Sequence, residues 1–332
     1  MDYIPEKVRR CILLRKIKNY LSECKLRKTN IGHPANEQYL KGILFMVDGR
    51  LLHGGLADRF FGIITSFALS KVHKVPFRLH FTTPYSISTF FQPNKYNWEL
   101  QEGELSFCNK QTKEIVRLGD DSNWTRNLKI DRNKQIHLYA NYVDTDWVTQ
   151  INENFGTDYS FSGLFTELFK PSVKLQHCLD THLNVLGKDY ISICFRFRNL
   201  LGDFYEAHAN TLDNKDREQL ILSCLHEVKR IIALYPYPTK CMVTSDSLSF
   251  LKRVKTLDRV YICEAKRVHV DFSENSNDEA HIQSFIDLFL LALSSHIYNI
   301  CVPVGEGING MVTGFPVFAS QLYNKPFTRI WL

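Results

Sequence analysis

The fold is indicated first by residues 190–198, which read YISICFRFR. An apolar run of this length, followed by a polar loop, is typical of a strand buried in a parallel sheet. A helical pattern over 213–234 comes next, and a second apolar strand is predicted at 241–244. Strands that alternate with helices in this way predict a parallel sheet with helices on both faces.

The same alternation extends towards both ends of the chain. We predict an α/β protein of two domains, 41–185 and 186–332, with a cleft between them and a helix and linker at 1–40 in front. Ligands of open α/β sheets bind beyond the carboxyl ends of the strands, and candidate residues are sought there. The other predicted strands are 43–47, 77–81, 136–142, 260–263 and 297–304, and the other predicted helices are 6–28, 56–72, 247–255, 279–296 and a short one after Pro316.

Length and charge agree with this division. Single cores stop growing at about 250–300 residues, so 332 residues favour two domains. Residues 1–30 contain nine basic and three acidic residues, a net charge of +6, which equals the net charge of the whole chain. The rest is near neutral, so no nucleic-acid partner is predicted. The basic helix at 6–28 is predicted to pack on the first domain; the alternative is an interfacial helix at the inner face of a membrane.

The nine cysteines are widely spaced and include no Cys-x-x-Cys pair. Neither a disulfide framework nor a zinc site is predicted from such spacing. Several cysteines lie in apolar runs and read as buried thiols in a reducing compartment, so we predict a cytoplasmic protein. No apolar run approaches the roughly 18–20 residues of a membrane span.

Two arginines lie at the carboxyl end of the strand with which we began. Side chains alternate along a strand, so Arg196 and Arg198 are expected to share a face. Their forked guanidinium groups suit a diphosphate. The alternative is a structural ion pair with Asp203 or Glu206, and these two acids are also the candidates for a catalytic base.

The loop after the first strand is the second candidate and reads His53-Gly54-Gly55-Leu56-Ala57-Asp58-Arg59. Its glycines let the backbone approach a ligand, and the helix that starts near Leu56 would direct free N–H groups towards it. The alternative is an ordinary strand-to-helix turn with an acidic residue in the first helical turn.

A third candidate follows the strand at 241–244. Asp246 and Ser247 could hold a ribose or a base edge, or Ser245 or Asp246 could simply cap the next helix. The fourth is a glycine-rich loop at 305–310, which fits G-x-G-x-x-G. Too few residues follow it for an NAD-binding unit, but it leads through Thr313-Gly314-Phe315 to a helix whose N-terminus could bind phosphate.

A metal-dependent alternative rests on Asp144-Thr145-Asp146. Many glycosyltransferases bind a divalent ion and the donor diphosphate through such a D-x-D triplet. Triplets of this kind are common by chance, and this one lies in the first half, away from the arginine strand. We therefore predict no metal and no cofactor.

Four segments, taken in order, resemble the α-1,2/α-1,6/protein O-fucosyltransferase superfamily. Residues 54–63, GGLADRFFGI, resemble its N-terminal loop G-G-L-x-D-R-x-x-G-I. Residues 194–203 resemble its H-x-R-R-G-D segment, and 243–247 are similar to its T/S-D-D element. Residues 285–294 with 313–319 resemble its last motif, a helix followed by an S-x-F turn.

The resemblance spans about 42–325 and implies a bacterial-type glycosyltransferase of the B fold, with two Rossmann-like domains. It implies GDP-fucose in the C-terminal half, the acceptor in the N-terminal half, and transfer with inversion and without metal. Arg196 falls on the essential arginine of the family. The chain departs from the pattern at Cys194, where the family has His, and at residues 199–201, which are inserted before Gly202-Asp203.

The expected function is the transfer of fucose from GDP-fucose to a hydroxyl of a glycan or lipid-linked glycan, in polysaccharide biosynthesis. Three alternatives stay open: a metal-dependent D-x-D glycosyltransferase, a sugar-nucleotide epimerase of the same fold, and a non-catalytic glycan-binding protein. Peripheral membrane contact through residues 1–30 is part of the same expectation.

Overall fold

Two α/β units divide the chain, Met1–Lys170 and Pro171–Leu332, in a computed structural model that describes residues 6–119, 123–141, 146–204, 211–264, 278–302 and 313–332. The division lies before the boundary near 185 that the sequence suggested. The helix at Val173–Leu186 packs against the helix at Asp278–Leu293, which places it with the second unit.

The first unit is built on a four-stranded parallel sheet in the order β2-β1-β5-β4. All five residues of β1 are buried, as expected for an inner strand. Its elements are α1 (Glu6–Thr29), β1 (Ile43–Val47), α2 (Leu56–His73), β2 (Phe77–Phe81), β3 (Phe91–Pro93), β4 (Thr112–Leu118), β5 (Gln135–Asn141), α3 (Asp146–Phe155), α4 (Phe161–Leu168) and β6 (Phe169–Pro171), which pairs with β3.

Helix α2 lies unusually close to this sheet because of one glycine. A Cβ atom on Gly62 would lie 2.0 Å from the carbonyl oxygen of Ala140 in β5. No side chain fits there, so Gly62 sets the spacing between helix and sheet.

Helix α1 packs against β4, the edge strand of the sheet. Glu23 Oε1 accepts hydrogen bonds from the Val116 amide at 3.0 Å and from Arg117 Nη1 at 2.9 Å. Asn30 Nδ2 donates to Glu114 Oε1 at 2.6 Å. The basic helix therefore packs on the first unit through polar contacts along one of its faces.

The second unit is a five-stranded parallel sheet in the order β11-β10-β7-β8-β9. Strand β7 is central, and all six of its residues are buried. The elements are α5 (Val173–Leu186), β7 (Tyr190–Phe195), α6 (Asn214–Ile232), β8 (Lys240–Ser245), α7 (Leu248–Val254), β9 (Val260–Tyr261), α8 (Asp278–Leu293), β10 (Ile297–Cys301), α9 (Gly314–Leu322) and β11 (Phe327–Trp331).

The prediction of an α/β fold with parallel sheets is confirmed. Every predicted strand and helix is present, with ends that differ by a few residues. One difference matters for function. Strand β7 ends at Phe195, two residues before the predicted end, and Arg198 has a left-handed backbone with φ of 55°. Arg196 and Arg198 thus belong to a loop, and the expectation that they share one face of a strand was wrong.

Candidate functional site

The candidate residues of the second unit lie where β7 and β8 end. These strands are parallel neighbours, with Phe195 opposite Ser245, so the segments that follow them leave the same edge of the sheet. Strand β10 borders β7 on its other side. In a parallel sheet this edge is the usual ligand-binding edge.

A single carboxylate organises the loop after β7. Asp246 Oδ1 accepts the amide N–H of Phe197 at 2.8 Å, and Asp246 Oδ2 accepts that of Arg198 at 2.7 Å. Arg196 Nε lies 3.4 Å from Asp246 Oδ2. The Asp246 side chain is only 3% exposed, whereas that of Arg196 is 26% exposed. The carboxylate thus fixes the backbone beneath an arginine that solvent can still reach.

The electrostatics of this pair depend on its surroundings. Burial raises the pKa of Asp246, while the Arg196 guanidinium and the amides of Phe197 and Arg198 counteract that rise. These three donors offset part of the cost of burying a carboxylate, and burial remains the larger effect. The hydrogen bonds from the Phe197 and Arg198 amides to Asp246 also hold Arg198 in its left-handed backbone conformation, which is uncommon for a residue other than glycine.

The Arg196 guanidinium is restrained on a second side by an aromatic ring. Its central carbon lies 4.8 Å from the centre of the Phe204 ring. Cation–π contact and the Asp246 carboxylate together restrict the side chain without enclosing it. A partly exposed and pre-oriented guanidinium can receive an anion such as a phosphate oxygen.

Asp203 is held at the start of α7. Its Oδ2 accepts hydrogen bonds from Ser247 Oγ at 3.0 Å and from the Ser249 amide at 2.8 Å. Ser247 is also the N-cap of α7, since its Oγ accepts the Phe250 amide at 3.2 Å. The cap is thus Ser247, and not Ser245 or Asp246 as the capping alternative supposed. Glu206 lies outside the described residues.

A buried polar network, which the sequence did not reveal, lies on the inner side of the same strands. Thr244 Oγ1 donates to Asp287 Oδ2 at 2.8 Å, and Gln283 Nε2 donates to Asp287 Oδ1 at 2.8 Å. Cys194 is buried nearby, and burial together with the Asp246 and Asp287 carboxylates raises the pKa of its thiol. Cys194 is therefore a neutral thiol at physiological pH, unsuited to accept a proton as a histidine would.

The third segment near this edge is the start of α9. Thr313 is its N-cap, with the Phe315 amide 3.4 Å from Thr313 Oγ1. The helix begins at Gly314, and Pro316 lies in its first turn, a position that suits proline. The glycine-rich loop at 305–310 lies outside the described residues.

The glycine loop of the first unit joins β1 to α2. Gly54 has φ of 80°, and a Cβ there would lie 2.7 Å from Asp58 Oδ2, so both conformation and space require glycine. Asp58 Oδ2 accepts the Gly55 amide at 3.0 Å and caps the helix. Arg59 is 3% exposed and donates to the carbonyls of Gly54 and Thr83 at 3.1 and 3.0 Å.

These contacts show what shapes the loop. Asp58 and Arg59 hold its backbone in place, as an ordinary strand-to-helix turn would require. Their predicted role in substrate binding stays a prediction.

His53 is buried in the first unit and is 1% exposed. Its ring lies 5.9 Å from that of Phe45 and 5.8 Å from that of Tyr139, centre to centre. Desolvation, with a smaller effect of Arg59, lowers the pKa of His53 to about 3, so the imidazole is neutral. Its carbonyl oxygen accepts a hydrogen bond from the Asn141 side chain, which ties the loop to the end of β5.

A second unpredicted network adjoins this loop. Asp48 Oδ2 accepts from Arg50 Nε at 2.6 Å and from the Tyr139 hydroxyl at 3.0 Å. Arg50 also donates to Asn30, the residue directly after α1, at 3.1 Å. A cavity of about 540 Å³ lies here, between α1, the loop at 50–58 and the ends of β4 and β5. The only sequence signal for the network was an acidic residue directly after a buried strand.

The D-x-D triplet falls largely outside the described residues, since only Asp146, the first residue of α3, lies within them. Among the residues that the structure describes, no group of three or more His, Cys, Asp or Glu side chains could hold a metal ion. Over the same part of the chain, no helix is both long and apolar enough to cross a membrane.

Comparison with known proteins gives structural similarity only. No family model and no curated protein matches the chain in sequence. An arginine-to-lysine variant of Arabidopsis thaliana FUT1 in complex with GDP is similar with a TM-score of 0.54 and 13% identity, over 93% of this chain and 74% of that one.

Two further structures align with lower scores. Fucosyltransferase NodZ from Bradyrhizobium has a TM-score of 0.49 at 12% identity, over 85% of this chain and 93% of its own. POFUT1 in complex with GDP has a TM-score of 0.43 at 12% identity, over 90% and 99%. The similarity to FUT1 shows that the chain shares the fold of that protein.

Proposed function

We propose that the chain is an inverting, metal-independent glycosyltransferase that transfers fucose from GDP-fucose to a glycan hydroxyl. Two observations support the proposal. The chain has the fold of a protein whose solved structure contains GDP. Independently, a partly exposed arginine is pre-oriented at the ligand-binding edge of the second sheet.

The arrangement around Arg196 is the observation that carries the proposal. In the transfer reaction the acceptor oxygen bonds to C1 of fucose while the bond from C1 to the diphosphate oxygen breaks. Negative charge then develops on GDP. A guanidinium held by Asp246 and Phe204 before the reaction stabilises that charge without reorganising, which lowers the barrier.

The remaining groups are assigned around this centre. We place the donor on the second unit, with Arg198, Asp246, Ser247 and the start of α9 at Thr313-Gly314-Phe315 lining its phosphates and nucleoside. Helix α9 offers N–H groups and the positive end of a dipole, which suit a phosphate.

The proton of the acceptor hydroxyl needs a carboxylate. Asp203 and Glu206 are our candidates, since both follow Arg196 closely in the sequence. Asp203 is anchored through Oδ2 by Ser247 and Ser249, which fixes the direction of the carboxylate.

The acceptor is assigned to the first unit, near the loop at 53–59 and the cavity of about 540 Å³ beside it. Its proposed class is a glycan or lipid-linked glycan. A cytoplasmic location, at the inner face of a membrane, belongs to the same proposal.

Transfer assays separate this proposal from its rivals. The full chain is incubated with GDP-fucose and a panel of glycans in EDTA, and products are resolved by mass. We expect a fucosylated product and free GDP. Loss of transfer in EDTA would indicate the D-x-D alternative, donor turnover without any acceptor would indicate an epimerase, and absence of GDP binding would indicate a non-catalytic protein.

A further inference from the structure

The outer face of α1 carries a continuous apolar stripe. Leu13, Leu14, Ile17, Tyr20 and Leu21 are 46–61% exposed. At 100° per residue these five side chains fall within an arc of about 120° on one side of the helix. Large apolar side chains grouped in this way on a soluble surface mark an interaction site.

The opposite face of α1 is the one that packs on the first unit. Asn19, Glu23 and Leu26 are at most 9% exposed, and all three lie on that inner side. Glu23 is held there by Arg117 and the Val116 amide. The helix is thus fixed on the sheet, and the apolar stripe is turned away from it.

Charged residues of α1 also differ between its inner and outer faces. The sequence of α1 contains nine basic residues and two acids, Glu6 at its first position and Glu23, which faces inward. Lys16 and Lys18 are exposed and flank the apolar stripe on its two sides, and Lys25 and Lys28 are exposed further along. An apolar strip bordered by cations is the pattern of a helix that lies in a membrane interface.

We propose that α1 docks the protein on an anionic phospholipid surface, with the stripe from Leu13 to Leu21 inserted among the lipids and the flanking lysines on their headgroups. A second copy of the chain is the other candidate occupant. Pairing two outer faces would bring exposed lysines together with no acidic residue between Leu13 and Lys28 on either outer face to match them, since Glu23 faces inward, so charge favours the lipid. This docking rests on the membrane location proposed above and names the surface that would provide it; it does not depend on the transfer reaction.

Vesicle co-sedimentation of the full chain tests the proposal. We expect binding to vesicles of phosphatidylglycerol and phosphatidylcholine, much weaker binding to phosphatidylcholine alone, and release as salt rises. Combining Leu14→Ser, Ile17→Ser and Leu21→Ser should weaken binding at least about tenfold, because it removes most of the inserted apolar surface. Lys16→Glu with Lys18→Glu should abolish the preference for anionic vesicles.

The matched control is Leu222→Ser with Leu234→Ser, two side chains of the second unit that are 48% and 62% exposed. This variant should bind vesicles as the unaltered protein does. GDP binding and melting temperature, measured on every variant, separate loss of docking from loss of fold or donor site. The proposal is overturned if the unaltered chain does not bind anionic vesicles, if the triple variant binds them equally well, or if the chain is a dimer that the triple variant converts to monomers.

Discussion

Replacement of Arg196 by alanine separates a catalytic role from a structural one. The substitution removes the guanidinium that lies 3.4 Å from Asp246 and 4.8 Å from the Phe204 ring. If Arg196 stabilises the departing diphosphate, kcat should fall by about 10²–10³, which corresponds to roughly 2.7–4 kcal/mol of transition-state stabilisation.

The cost in stability follows from what Asp246 retains. Its carboxylate keeps the amide hydrogen bonds of Phe197 and Arg198 at 2.8 and 2.7 Å, so it is not left without donors. Arg196 is also 26% exposed, which weakens the ion pair through solvent screening. We expect a loss of about 1–2 kcal/mol in the free energy of unfolding, compared with about 3–5 kcal/mol when a fully buried pair is broken.

The assay measures transfer from GDP-fucose and thermal unfolding on the same preparations. Arg196→Lys keeps the charge but not the fork, so it should recover little of the rate. Arg253→Ala is the matched control, because Arg253 pairs with Glu218 on the surface of the same unit, with both side chains about half exposed. It should change neither kcat nor melting temperature appreciably.

Two results would refute this reasoning. The first is a folded Arg196→Ala protein that transfers fucose at a near-normal rate. The second is a melting temperature that falls far more than the ion pair accounts for, with kcat preserved in the folded fraction. Either result would make Arg196 a structural residue.

Three further predictions concern the first unit. Gly62→Ala should lower the free energy of unfolding by about 1–3 kcal/mol, because the added Cβ meets the carbonyl oxygen of Ala140 at 2.0 Å and α2 must move. Urea unfolding at constant pH measures this change, and an unchanged urea midpoint would contradict the prediction. Folding lowers the pKa of His53 from 6.5 to about 3, so the unfolded chain binds more protons and the free energy of unfolding should fall as the pH drops from about 6.5 to 3. In a plot of urea midpoint against pH, His53→Phe should flatten the slope over this range. An unaltered slope would count against a buried neutral imidazole. Deleting residues 1–30 should destabilise the first unit, because Glu23 and Asn30 form hydrogen bonds with β4. The folded fraction should still bind GDP, and a loss of GDP affinity in calorimetry of the truncated protein would contradict this.

The sequence predicted the strands that are buried on both faces. Strands β1, β7, β8 and β10 are short apolar runs, and their signal survives without any tertiary information. Strand β4 was missed because it reads TKEIVRL, in which three of the seven residues are charged. Two of these charged side chains form hydrogen bonds with residues distant in sequence: Glu114 with Asn30, and Arg117 with Glu23.

The candidate site was also predicted only in part, because several of its contacts join residues that are distant in sequence. Local sequence placed Asp203 and Asp246 after the strands that precede them, but it placed Arg196 within its strand, whereas β7 ends at Phe195. It could not show that Asp246 accepts the amides of Phe197 and Arg198, since these contacts join residues 48 and 49 positions apart. The structural alternative named Asp203 or Glu206 as the partner of Arg196; the structure instead shows Arg196 beside Asp246, and it shows Asp203 bound to the start of α7.

Calorimetric titration of GDP into the full chain, in buffer that contains EDTA, tests the central claim most directly. The account predicts saturable binding to one site, in the micromolar to millimolar range, that is unaffected by EDTA and is weakened in Arg196→Ala but not in Arg253→Ala. Absence of binding, or binding that appears only when a divalent ion is added, would contradict it.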